Sequence, residues 1–175
     1  MVRQLQHAST AVARRMMMAM VMVGMVMGAE GRKCSRDVFD NGYDFDSATI
    51  PSDCTELDLY MNSVGDVGAA ALAKALEINP AITTLSLSNN DITDVGAAAL
   101  AEALKAKNTA LTTLDLSENK ISDVGAAALA EALKTKNTAL TTLSLESNFN
   151  IRDSTILASI QTSLAENKVN TKDEF

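Results

Sequence analysis

One stretch of this chain is written nearly twice. Ile82–Ala110 and Leu111–Ala139 are equal in length and differ at only six positions. A third copy, shorter by a single position, lies upstream at Cys54–Ala81, and a degenerate fourth starts at Leu140. Asn62, Asn90, Asn119 and Asn148 mark the same point of each copy, so the spacing is constant to within one position. A tandem period within the range of about 20–50 residues means that each unit buries its apolar face against its neighbours, so the chain must build an elongated stack. Aromatic residues make up only 3% of the chain and tryptophan is absent, so the core of that stack must be aliphatic.

Within a unit two periods follow one another. Leu85 and Leu87 alternate with Thr84, Ser86 and Ser88, as Leu114/Leu116 and Leu143/Leu145 do in their copies, which reads as a half-buried strand. Gly96, Leu100 and Leu104, repeated as Gly125, Leu129 and Leu133, recur at every fourth position on one helical stripe. Asp94 and Asp123 precede these stripes, where a helix N-cap is expected. The many alanines favour helix and permit close helix–helix approach. Glu102 with Lys105 and Glu131 with Lys134 are i,i+3 pairs on the outer helical face. Asn-Thr-Ala after each of the two central helices reads as a turn into the next strand.

The pattern L-x-x-L-x-L-x-x-N-x-I followed by an Ala/Leu helix resembles the leucine-rich repeat of the ribonuclease-inhibitor-like subtype. Leu111, Leu114, Leu116, Asn119 and Ile121 carry the match in one unit, and Ile82, Leu85, Leu87, Asn90 and Ile92 in the unit before. The resemblance implies an α/β fold: a right-handed solenoid of about four strand–helix repeats, with a parallel concave sheet and outer helices. The repeats are 54–81, 82–110, 111–139 and 140–165. It also implies that Asn62, Asn90, Asn119 and Asn148 form a structural ladder by bonding backbone groups of the adjacent turn. The scaffold hosts many unrelated partners and is nearly silent on function.

The flanks read differently. Met16–Ala29 carries no charge; Arg3, Arg14 and Arg15 precede it and no acid occurs before Glu30. A basic start, an apolar run and small residues at its end make 1–29 a secretory signal peptide. The run is short for a bilayer span, which needs roughly 20 apolar residues. An uncleaved anchor, the one route to a membrane, and an organelle presequence are the alternatives. Cleavage would remove three arginines and leave acids in a nearly twofold excess over bases. Residues 30–53 are expected to cap the N-terminal end, with Phe39, Tyr43 and Phe45 covering it and a Cys34–Cys54 disulfide pinning it. Two free thiols in a cytosolic protein are the alternative. At the other end an extra residue, Phe149 or Asn150, breaks the period. Ile151, Ile156, Leu157, Ile160 and Leu164 suit an irregular closing helix, and 166–175 is expected to be a tail. That tail ends Lys172-Asp173-Glu174-Phe175, which resembles a KDEL-type retrieval signal apart from its last residue. These readings place the chain in the endoplasmic reticulum lumen or outside the cell, with the cytoplasm as the alternative.

Strand side chains that point away from the core form the concave face: Glu56, Asp58 and Tyr60, with Met61; Ser86, Ser88 and Asn89; Asp115, Ser117 and Glu118; Ser144 and Glu146. Of the six differences between the two best copies, Ser86/Asp115 and Asn89/Glu118 fall on this face and Asp91/Lys120 on the loop after it. Thr84, Thr113, Thr142 and Ser147 complete the set, which holds acids and no Lys or Arg. Its complement is a protein with a basic surface. The formal net charge of −7 argues against nucleic acid.

Catalysis finds little support. The single histidine, His7, lies in the signal segment, so a mature chain has no imidazole for a triad, a general base or a metal site. No Gly-rich phosphate loop occurs. Asp58 and Asp115, two strands or roughly 10 Å apart, have a separation used in inverting glycoside chemistry, but an open sheet does not enclose them. Asp37, Asp40, Asp44 and Asp46 lack the spacing of a calcium loop. The reading is therefore a non-enzymatic module with no cofactor and no small-molecule substrate, binding a protein on the concave face. Two alternatives are a GTPase-activating-protein-like regulator in the cytosol and a repeat fragment with no specific role. One family of such regulators shares this repeat subtype and uses an arginine. None of Arg32, Arg36 and Arg152 sits in an early repeat loop.

Overall fold

A computed structural model describes residues 31–35, 50–106, 110–135 and 139–170. The expected signal segment 1–29, most of the expected cap including Phe39, Tyr43, Phe45 and the four clustered aspartates, and the Lys172–Phe175 tetrapeptide lie outside the described residues.

The described chain is an α/β solenoid. Strands β1 (Arg32–Ser35), β2 (Cys54–Asp58), β3 (Thr84–Ser86), β4 (Thr113–Asp115) and β5 (Thr142–Ser144) form one parallel sheet in chain order. Helices α1 (Gly65–Ile78), α2 (Asp94–Leu104), α3 (Asp123–Leu133) and α4 (Ser154–Asn170) each follow a strand and pack in sequence, each on the next. The alternation puts Leu57, Leu85 and Leu114 in one buried row and Leu59, Leu87 and Leu116 in the next, all 0–1% exposed. Opposite them lie Leu72, Leu100 and Leu129 with Ala69, Ala97 and Ala126, which bring the helix layer close to the sheet.

Three side-chain ladders run along the stack and tie each unit to the next. In the first, Asn90 Oδ1 accepts from the Asn62 and Val64 N–H groups, and Asn119 Oδ1 accepts from those of Asn90 and Ile92. Asn148 Oδ1 accepts from Ile121. Asn62 departs from the expected ladder role: its amide bonds its own loop at Tyr60, and its buried Oδ1 has no partner among the described residues. The residue before each ladder asparagine (Met61, Asn89, Glu118, Ser147) has a left-handed φ of 53–58°, which ends the strand and turns the asparagine inward.

In the second ladder the Thr83, Thr112 and Thr141 hydroxyls donate to the carbonyls of Thr55, Thr83 and Thr112. The third corrects the capping assignment. The caps are Thr93 and Ser122, whose hydroxyls accept from Val95 and Val124. Asp94 does not cap its own helix. Its Oδ1 accepts from the Ser122 and Gly125 N–H groups and its Oδ2 from the Ser122 hydroxyl, one repeat onward. Asp66 binds Thr93 and Gly96 in the same way, and Asp123 accepts from Arg152 and Asp153. The glycine is what lets the carboxylate in: a Cβ on Gly125 would lie 2.6 Å from Asp94 Oδ1 and 2.8 Å from Ile121 Cγ2. α1 has no side-chain cap bond, because Gly65 stands where Thr93 and Ser122 stand later.

The ends differ from expectation in two respects. β1 extends the sheet ahead of the first repeat, held by a Cys34–Cys54 disulfide across a Cα–Cα distance of 6.0 Å. α4 runs on through Asn170, past the expected start of the tail at 166, and Asn167 donates to the Leu140 carbonyl at 2.8 Å. The two i,i+3 pairs form as expected, Glu102 with Lys105 and Glu131 with Lys134.

Candidate functional site

The concave face is a grid set by parallel register. One row runs Lys33, Glu56, Thr84, Thr113, Thr142, and the next Ser35, Asp58, Ser86, Asp115, Ser144. Beyond the strands the grid continues, because Met61, Asn89 and Glu118 donate backbone N–H bonds to Ser88, Ser117 and Glu146. Glu56, Tyr60, Asn89, Glu118 and Glu146 are exposed, and Asp58, Ser86, Asp115, Ser117 and Ser144 are half-buried. Ser88 does not belong with them. It is 6% exposed, whereas Ser117, in the same place one unit on and with the same two bonds to its carbonyl, is half-buried. Tyr60 and Met61 stand in solvent at 51% and 60% exposure.

The strand β1 changes the charge of the face. Lys33 sits beside Glu56 in register and its Nζ is 3.6 Å from Asp58 Oδ2. The expectation of a face without basic residues therefore fails at the N-terminal end. Cys34 alternating with Lys33 and Ser35 was the available signal, a buried residue between two polar ones. The acids that meet no cation in these rows lie toward the other end: Asp115, Glu118 and Glu146 on β4, β5 and the turns that follow. Asp115 Oδ1 accepts from the Ser117 N–H and hydroxyl, and Ser117 in turn shares a 2.7 Å bond with Ser144. Glu118 Oε2 accepts from the Asn89 amide at 3.4 Å. These bonds hold Asp115 and Glu118 in place without neutralising them. On the following loop Lys120 and Asp91 pair at 2.7 Å, both exposed, a contact worth little to stability.

Asp58 and Asp115 occupy the same row two strands apart, with Ser86 between them, on the open sheet. Arg152 is exposed, and its backbone N–H is bonded to Asp123. Among the described residues no cluster of His, Cys, Asp or Glu could hold a metal ion. No helix among them is long and apolar enough to cross a membrane.

A family model described as "Leucine Rich repeats (2 copies)" matches residues 80–128, and one described as "Leucine Rich repeat" matches 55–73. Residues 55–73 and 80–128 thus match leucine-rich repeats. No curated protein matches it. Among solved structures it is similar to one titled "Leiomodin-1 Actin-Binding Site 2 (ABS2)", at 21% identity and a TM-score of 0.54, over 75% of this chain and 88% of that one. That likeness extends the shared leucine-rich-repeat fold beyond the matched repeats.

The Asp94 rung should make this repeat stack lose stability in acid. Burial raises the Asp94 carboxyl pKa, but hydrogen bonds from the Ser122 hydroxyl, the Ser122 N–H and the Gly125 N–H outweigh it and hold the group below its ordinary value. A group depressed in the folded state contributes stability above its unfolded pKa and loses it as pH falls through the folded value. Chemical unfolding between about pH 6 and pH 2.5 should show this loss beginning below about pH 4. The Asp94→Asn protein should show a shallower decline over the same interval, and an identical slope would remove Asp94 from the account.

Proposed function

We propose that this leucine-rich repeat protein is a non-enzymatic protein–protein interaction module that holds a partner's basic surface on its concave face. The observation that carries the reading is the placement of Asp115, Glu118 and Glu146. They come from neighbouring units, face one side, and meet no Lys or Arg in their rows, whereas the N-terminal acid Asp58 is already paired with Lys33. A rigid sheet presenting fixed carboxylates favours a cationic partner by on-rate and orientation. The similar solved structure is titled as an actin-binding site, which fits a scaffold used for protein recognition. The near-constant period, with one helix per unit, supports the ribonuclease-inhibitor-like subtype. The 1–29 signal segment and the retrieval-like Lys172–Phe175 support a lumenal or extracellular address. The Cys34–Cys54 disulfide is consistent with an oxidising compartment.

A fluorescent Lys/Arg-rich decapeptide tests the site. Binding at low salt should weaken at least about tenfold in the Asp115→Asn/Glu118→Gln protein and fall steeply with added salt. Equal affinity of the two proteins would sink the concave-face reading.

A further inference from the structure

The buried rows fail at one end of the stack. Leu57, Leu85 and Leu114 are 0–1% exposed, but their counterpart Leu143 is only partly buried, and Leu145 breaks its row in the same way. Among the described residues β5 is hydrogen-bonded to β4 alone, so its other edge is open there. Between β5 and α4 lies a groove of about 560 Å³ lined by Leu143, Leu145, Ile160 and Leu164. Among the described residues Glu146 is the single ionisable side chain on its wall. The place next to β5 is thus shaped for one more strand of the same kind, with apolar side chains at alternate positions entering the groove.

We propose that this end is a docking site for an extended segment of a partner protein, which adds to β5 as a sixth parallel strand. The segment has the form apolar-polar-polar-apolar-polar-apolar followed by a lysine or arginine. Parallel register decides the last position: the residue after the second inward-facing leucine is Ser117 beside Glu146 in the existing sheet, so an added strand sets its own residue there on Glu146's other side. Main-chain bonds to the open edge give affinity, and the groove and Glu146 give selectivity. The site shares Glu146 with the concave acids, but Asp115 and Glu118 do not line it.

The probe is a nine-residue peptide copying residues 140–148 with lysine at the position of Glu146. Titrated into the isotope-labelled full chain, it should shift amide resonances of 143–147 and of α4 and slow hydrogen exchange in β5. The peptide retaining glutamate should bind about two- to fivefold more weakly, and Glu146→Lys should reverse that order. The Asp115→Asn/Glu118→Gln protein should bind the lysine peptide as the parent does. Four results would overturn the proposal: β5 amides protected before peptide is added, a dimer by sedimentation that closes this end, shifts confined to the concave face, or no binding at millimolar peptide.

Discussion

Asn119→Ala should lower the unfolding free energy by about 3–5 kcal/mol. The side chain accepts from the buried N–H groups of Asn90 and Ile92 and donates to the carbonyls of Leu87, Leu116 and Ser117. Alanine would strand two buried donors in the middle of the stack, where every unit depends on its neighbours. Asn62→Ala is the internal control. Its amide makes a local bond to Tyr60 and its oxygen has no partner among the described residues, so the loss there should stay near about 1 kcal/mol or less. Urea denaturation of the two proteins with similar m-values would measure the difference. Equal losses would show that the inter-repeat bonds are not what the ladder contributes.

Removing the Cys34–Cys54 bond with the double variant Cys34→Ala/Cys54→Ala should cost about 3 kcal/mol, the value for a crosslink closing a loop of this size. The charge of the concave face should change with it. β1 carries Lys33 to its place beside Asp58, and without the crosslink that strand is held by backbone pairing and exposed ion pairs. The double variant should therefore bind the cationic decapeptide at least as well as the parent while melting at a lower temperature. Intact mass with thiols alkylated before and after reduction checks the bond itself: two thiols should appear only after reduction. Two thiols reactive beforehand, or an unchanged melting temperature in the double variant, would dismiss the crosslink as a structural element.

Much of the fold was legible in the chain. Alternating leucines, the Gly/Leu helical stripe and the asparagine spacing each depend on local periodicity, and tandem repetition states the same local solution several times. The alternation also picked out most of the concave face, because outward and inward residues must take turns along a strand. It failed at Ser88, which is buried although the alternation gives it an outward place. The aspartate ladder was half visible: [Thr/Ser]-Asp-Val-Gly recurs intact at Thr93–Gly96 and Ser122–Gly125. Local chemistry assigns such an aspartate to its own helix N-terminus, and nothing local says that the hydroxyl takes that role while the carboxylate reaches the next unit.

The amino-acid order by itself determined that this chain stacks, which side chains make the core, and that the outer rows of the sheet are acidic, since these follow from period and polarity. Tertiary structure alone decided that residues before the first repeat add the strand β1, so that a lysine offsets the acids at one end while Asp115, Glu118 and Glu146 meet no cation in their rows at the other. It alone decided that, among the described residues, β5 has an unpaired edge beside a groove. Both depend on which segments lie beside which, and that is settled by the packing of units in space, beyond the reach of any pattern within one unit.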